Sequence, residues 1–280
     1  MDKILVSVII VLHNSQKVIG DSIRALDKSE YEGLEIILVD NASEIPADKL
    51  DLISRHPLRI ITNNNNEGFG KACNIGARAA NGEYYFFLNP DARPSPDAIG
   101  KLVNVFEDCK QAAVAGPQLY FEDGRIMQSY RNKPNFKRLL FSRNSPLSKL
   151  PFFSKLTEDS LPPPLKHSQD VDIIPGTAMM VKKGPFREAG GFDERFFLYA
   201  EDYDLCVILN EKGYRIIHQP DASVYHIWAA GSDAAEFFRV KEHNRSIMKY
   251  YRKHFPDHTL RTLILSALLS LRKLYFSIRY

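Results

Sequence analysis

Three acidic features of this sequence stand where an α/β protein does its chemistry. Tyr84-Tyr85-Phe86-Phe87-Leu88 reads as a buried strand that breaks at Asn89-Pro90, with Asp91 just past the break. Open α/β sheets bind ligands outside the carboxyl ends of their strands, and an acid parked there can hold a divalent cation against a phosphate group. By residue type alone, Asn89-Pro90-Asp91 is also a plain turn. Asp40 ends a second apolar run, residues 34–39. A carboxylate there can accept hydrogen bonds from a nucleobase imide or a ribose hydroxyl, or it can close an Asx turn through Asn41 and Ser43. Glu201 and Asp202 follow an aromatic, glycine-hinged segment at 190–197. Acids in a first helical turn favour the helix dipole, and a partly desolvated one there gains the raised pKa that suits a general base.

Two further features have the right chemistry. His226 ends an apolar run in Val224-Tyr225-His226-Ile227-Trp228, where a neutral imidazole can ligate a metal or serve the fold alone. Four asparagines at 63–66, then Glu67-Gly68-Phe69-Gly70-Lys71, form a polar loop opening a helix, a setting that suits an anion. The loop lacks both the Walker lysine pattern and the full dinucleotide fingerprint.

Positioning these groups takes an alternating framework. Residues 4–12, 34–39, 58–61 and 84–88 read as buried strands. Helical patterns fall at 15–28, 46–55, 68–80 and 95–109 between and after them, and Asn81-Gly82 stops the third. Such Val/Ile/Leu-rich strands with intervening helices predict a parallel sheet covered on both faces. Beyond 116 the pattern changes. A hairpin is expected at 119–128 around Glu122-Asp123-Gly124, and residues 131–170 are basic, then rich in Pro and Ser, predicting long irregular loops. Regular structure resumes at 171–181. A helix at 201–212, strands at 214–217 and 223–226, and two closing helices at 234–253 and 259–278 complete the chain. No internal repeat is visible.

The 280 residues are 44% apolar and 25% charged, ordinary for a soluble globular protein with ample core. Cys73, Cys109 and Cys206 lie far apart without a CxxC pair, which points to reduced thiols and a cytosolic setting. The apolar start has no basic leader and no small-residue cleavage site, so it reads as a first strand rather than a signal peptide. A net charge of +3 hides an asymmetry: ten Lys/Arg face only Glu242 and Asp257 between 239 and 280. Such a basic tail fits an acidic partner surface or a solvated helix face.

In series, six motifs resemble the family 2 inverting glycosyltransferases, and within them the bacterial rhamnosyltransferase-like branch. They are Val6-Ser7-Val8-Ile9-Ile10, Val39-Asp40-Asn41-Ala42-Ser43, Asn66-Glu67-Gly68-Phe69-Gly70 through Asn74, Leu88-Asn89-Pro90-Asp91, Gly191-Phe192-Asp193-Glu194 and Glu201-Asp202-Tyr203-Asp204-Leu205. The resemblance runs from residue 4 to about 228. It implies a GT-A fold: an α/β, Rossmann-like nucleotide-binding half with a mostly parallel sheet, an acceptor-side region and C-terminal helices. It implies a nucleotide-sugar donor and a Mg²⁺ or Mn²⁺ cofactor. Donor contacts are then expected from Val11, His13, Asp40, Asn66, Gly68, Lys71, Asn74, Asn89 and Asp91. The metal falls to Asp91, Asn89 and His226, the base to Asp202, and the positioning of donor or acceptor to Glu201. Asn89 stands where many relatives of this type carry a first acid, leaving one carboxylate in place of two.

The expected domains are 1–116 for the donor, 117–233 for acceptor and base with a variable region at 131–170, and basic apolar helices at 234–280. The expected reaction moves a sugar, rhamnose from dTDP-rhamnose or one from a UDP-sugar, to a glycan or lipid-linked acceptor. Competing readings are a metal-dependent nucleotidyltransferase, a glycoside hydrolase and a non-catalytic sugar-nucleotide binder. Residues 262–271 form the longest charge-free stretch of the last helix, too short to span a bilayer. Beside Arg252, Lys253, Arg261, Arg272, Lys273 and Arg279, that helix suits the cytoplasmic face of a membrane, the catalytic body or a second subunit; no nucleic-acid partner is expected.

Overall fold

The computed structural model describes residues 5–140, 162–227 and 236–279. The segment 141–161, with Pro146 and Pro151, and the stretch 228–235, with Trp228, lie outside the described residues. Among the described residues, nine strands form one sheet in the order β3-β2-β1-β4-β8-β6-β9-β5, and β7 pairs with β9. The strands are β1 (Val6–Leu12), β2 (Leu34–Asp40), β3 (Leu58–Thr62), β4 (Tyr84–Leu88), β5 (Ala92–Pro94), β6 (Ala112–Tyr120), β7 (Gln169–Asp170), β8 (Ala178–Lys182) and β9 (Arg215–His226). The helices are α1 (Ile19–Asp27), α2 (Phe69–Ala79), α3 (Ala98–Asp108), α4 (Phe136–Leu140), α5 (Lys183–Glu188), α6 (Glu201–Glu211), α7 (Glu236–His254) and α8 (Thr259–Arg279).

Every residue of β1 and β4 is buried, because helices cover both faces. Val6, Val8 and Ile10 of β1 point into one core with Ile23 and Leu26 of α1 and Leu102 and Phe106 of α3. Ile9 and Val11 point the other way, to Ala72 of α2, Phe186 of α5 and Leu205 of α6. This period-two division is what a strand buried on both faces requires. Helix α2 lies so close to β1 that a Cβ on Gly76 would sit 2.5 Å from Ile9.

Strands β1–β4 are mutually parallel as expected, but the whole sheet is mixed. β8 runs antiparallel to both β4 and β6. An apolar strand sequence carries no mark of direction, so this reversal was not visible in the residues. Its effect is positional: the amino end of β8 arrives beside the carboxyl end of β4. The proposed boundary at 116/117 falls inside β6, which continues the same sheet.

Other elements differ from expectation for local reasons. The helix expected at 46–55 shrinks to the 3₁₀ turn Ala47–Lys49, because Leu50 turns extended and Leu50 and Leu52 pack on the core. The hairpin at 119–128 keeps its turn, with Phe121 N–H donating to Arg125 O (2.9 Å), but its second arm is reduced to a bridge between Tyr120 and Ile126. The two strands expected at 214–217 and 223–226 are one strand, β9, whose pairing to β6 jumps from Gln219 to Ser223. Pro220 sits in that gap and has no N–H to give a ladder.

The C-terminal helices pack on the body. Lys253 of α7 bonds Asp204 of α6 (2.8 Å) and Asp193 (2.7 Å), and His254 bonds the other oxygen of Asp204 (2.8 Å). The Arg195 guanidinium, with Lys253 adding to it, holds the Asp193 carboxyl well below the usual carboxylate range. α8 lies on α7 through Leu265, Ile247 and Tyr251. Among the described residues no helix is long and apolar enough to cross a membrane.

Candidate active site

The carboxyl ends of β1, β2 and β4 share one rim because the strands are parallel and in register. On it the Asn89-Pro90-Asp91 turn is tied to β8, Asn89 N–H donating to Thr177 O at 2.9 Å. The next residue back, Gly176, donates its N–H to Asp202 Oδ2 at 2.9 Å. One backbone–backbone bond and one bond from a backbone N–H to a carboxylate therefore join the turn carrying Asp91 to the first turn of α6. That junction exists because β8 runs backwards.

Asp91 is buried, and His226 Nε2 lies 3.0 Å from its Oδ1. The register of β5 on β9, Ala92 opposite His226, sets this pair. Asn89 is half-buried beside it. Among the described residues no group of three His, Cys, Asp or Glu clusters into a metal site. One carboxylate and one imidazole still match a cation that takes much of its coordination from diphosphate oxygens and water, as Mg²⁺ does.

Glu201 and Asp202 open α6 after two successive left-handed residues, Tyr199 (φ 68°) and Ala200 (φ 66°). Non-glycine residues adopt that conformation at a cost, and such strain clusters at functional sites. Asp202 is buried; its second oxygen accepts Tyr203 N–H at 2.9 Å. Glu201 is buried against Gly70 of α2, and its Oε2 has no hydrogen-bond partner. Burial raises the pKa of both, and for Glu201 the neighbouring Asp202 charge adds to the rise. The two backbone donors and the Arg131 charge oppose the rise at Asp202.

The loops along the rim are held by asparagines. Asn41 donates to Asn66 Oδ1 (2.8 Å) and Gly68 O (3.2 Å), and accepts from Asn63 (3.0 Å) and Glu67 N–H (3.0 Å). His13, exposed just past β1, bonds Asn41 O through Nδ1 at 3.1 Å, and Val11, two residues earlier, is buried. Gly68, at φ +83°, leaves room for Phe197 O to accept Phe69 N–H at 2.8 Å; an added Cβ would stand 2.3 Å from that oxygen. Lys71 pairs with Glu67 at 2.6 Å, one helical turn back.

Asp40 and Asn74, both expected at the donor, make intramolecular bonds. Asp40 accepts Ser43 N–H (3.0 Å) and Ala47 N–H (2.7 Å), tying down the loop that follows β2. Asn74 holds Phe192, donating to its carbonyl at 2.8 Å and accepting its N–H at 2.9 Å. The rim-holding role of Asn41, and Arg131 and the Gly176-Thr177 pair altogether, go beyond what the sequence reading names. The run of asparagines at 63–66 was a signal for Asn41; the others act across long chain separations that leave no local pattern.

A mixed sheet whose parallel part, β1–β4, gathers acids at one strand-end rim is what a GT-A glycosyltransferase fold presents. The sequence model described as glycosyl transferase family 2 matches residues 7–160, more than half the chain, and the chain belongs to that family. It is 25% identical over 233 residues to N-acetylglucosaminyl-diphospho-decaprenol L-rhamnosyltransferase of Mycobacterium tuberculosis, covering 76% of this chain and 73% of that protein. It is 26% identical over 259 residues to rhamnosyltransferase WbbL of Escherichia coli K12, covering 88% and 92%. The fold also matches a crystal structure of GalNAc-T7 with UDP, GalNAc and Mn²⁺ (TM-score 0.65, 17% identity) over 89% of this chain. This chain spans about half the length of that one, 48%, and the likeness shows the fold alone.

Proposed function

We propose that this chain is an inverting glycosyltransferase that moves a sugar from a nucleoside-diphosphate donor to a hydroxyl of a glycan or lipid-linked glycan, in cell-surface polysaccharide synthesis. The observation that carries the reading is the Asp202–Gly176–Thr177–Asn89 connection, which sets a buried carboxylate of raised pKa beside the Asp91–His226 pair. Residues 1–116 form the donor side in this reading, with Val11, His13, Asp40, Asn66, Gly68, Lys71, Asn74, Asn89 and Asp91 around the nucleotide sugar, and 117–233 supply acceptor contacts and base. Rhamnose from dTDP-rhamnose is the preferred donor, supported by the names of the two bacterial relatives. A UDP-sugar comes second, supported by the UDP in the GalNAc-T7 structure.

Asp91 and His226, with Asn89 assisting, would hold Mg²⁺ or Mn²⁺, which supplies positive charge against the donor diphosphate. Asp202 accepts the proton of the acceptor hydroxyl. The acceptor oxygen forms its bond to the anomeric carbon from the face opposite the diphosphate, and the breaking C–O bond leaves its electron pair on the diphosphate oxygen. One displacement inverts the configuration. Glu201 lies against α2 beside the base and positions donor or acceptor. The enzyme works in the cytoplasm, peripheral to the inner face of the membrane, where lipid-linked acceptors lie.

A thermal-shift panel of dTDP-rhamnose, UDP-sugars and GDP-mannose, with and without Mn²⁺, tests the donor side. One nucleotide sugar should raise the melting temperature more with Mn²⁺, and Asp91→Ala should remove the metal-dependent part. Equal shifts with and without Mn²⁺ in both proteins would refute the metal assignment. Release of pyrophosphate would instead indicate a nucleotidyltransferase, cleavage of a glycan without nucleotide a hydrolase, and donor binding without turnover a non-catalytic binder.

A further inference from the structure

Helix α8 is apolar on two opposite sides, and only one is covered. Leu265 is buried against Ile247 and Tyr251 of α7, and Asn244 of α7 donates to Leu269 O at 2.8 Å. On the far side Leu260, Leu263, Ile264, Leu271 and Leu274 are 71%, 63%, 42%, 58% and 56% exposed. At 100° per residue, these five and Ala267 fall within an arc of about 100°, a continuous stripe. Arg261 flanks the stripe on one side and Lys273 on the other, both exposed. No Asp or Glu occurs between 259 and 280.

Beside Arg261 is a pocket between α4, α7 and α8. Its volume is about 370 Å³, and its lining includes Phe136, Tyr251, Phe255, Lys137, His258 and Arg261. The floor is aromatic, with Tyr251 and Phe255 stacked at 4.8 Å, and Arg261 lies over Phe136 at 5.8 Å. The lining brings three basic side chains and no acid; the nearest acid in sequence, Asp257, is exposed. The Tyr251 hydroxyl and His258 Nδ1 are buried without hydrogen-bond partners. A pocket with an aromatic floor and basic walls fits a phosphate ester.

We propose that α8 is a docking face for an anionic bilayer, the stripe entering the acyl boundary and the α4–α7–α8 pocket taking the phosphate of a lipid headgroup. The two features adjoin, since Arg261 borders the stripe and lines the pocket. A helix lying in the interface buries its apolar face and keeps flanking Lys and Arg at headgroup level. Charge selects the occupant. A second copy of α8 would set Arg261 and Lys273 against like charge with no acid on either helix, whereas an anionic leaflet complements them. Docking rests on the peripheral-membrane reading proposed above and does not depend on which sugar is moved.

Co-sedimentation of the full chain with vesicles of phosphatidylcholine, and of phosphatidylcholine with one third phosphatidylglycerol, tests this. The wild type should bind the anionic vesicles and leave the neutral ones largely unbound. The pair Leu263→Glu and Leu271→Glu should lower anionic-vesicle affinity about tenfold or more by loss of apolar insertion. The pair Lys137→Glu and Arg261→Glu should lower it at least about fivefold per charge, with the deficit shrinking in high salt. Both pairs should keep the wild-type melting temperature and transfer to a soluble acceptor; failure of transfer in the wild type would instead count against the catalytic reading. Equal binding of both vesicle types, or full binding by the stripe pair, would overturn docking. So would a vesicle-free dimer that the stripe pair abolishes, or stabilisation by inorganic phosphate that Arg261→Glu removes without any vesicle binding.

Discussion

Asp202 and Glu201 are chemically alike and differently partnered. Asp202 has two backbone N–H donors; Glu201 has a buried oxygen with none. Of the two, Glu201 is thus the carboxylate less tolerated as an anion, and its raised pKa sets the sign of a pH effect. A raised folded-state pKa means stability that is complete below the ordinary carboxylate range and lost as pH rises through the raised value. Glu201→Gln keeps the shape without the charge. It should raise the melting temperature by a few degrees near about pH 8 and change it little near about pH 4. A scan showing no gain at the higher pH would contradict the burial of an ionisable carboxyl there. That Asp91 follows β4, His226 closes β9 and Asp202 lies in the first turn of α6 was legible in the sequence. Their partners were not: Gly176 and Asp202 meet from different elements, and only the reversed β8 brings them together.

Among the elements, α2 and α6 meet head to head, and glycine makes the approach possible. A Cβ at Gly68 would collide with Phe197 O, and one at Gly70 would press on Phe192 and Glu201. Gly68→Ala adds a strained φ to that collision and should cost about 2 kcal/mol or more, lowering the melting temperature by roughly 4 °C or more. Differential scanning calorimetry checks this, and a change within error would mean the loop yields freely. The parallel core β1–β4 was legible from its continuous apolar runs. The short β5, α5 and β7 were not, since a few residues carry no period, and β9 was read as two strands because Pro220 interrupts its ladder.

At the scale of the whole molecule, the two halves proposed as donor and acceptor sides share one sheet, and α7 is bolted to α6 through Asp204, Lys253 and His254. The sequence left the last helices between membrane, body and partner. The structure puts α7 on the body and leaves one side of α8 open, a division that depends on which faces pack and so was hidden from composition. The central claim is that Asp202 is the base of a sugar transfer for which the Asp91 side holds the donor. Its most direct test is Asp202→Asn, assayed for sugar transfer and, on the same sample, for Mn²⁺-dependent donor binding. The account predicts transfer reduced by about a hundredfold or more with donor binding retained. Transfer at the wild-type rate by that variant would contradict it.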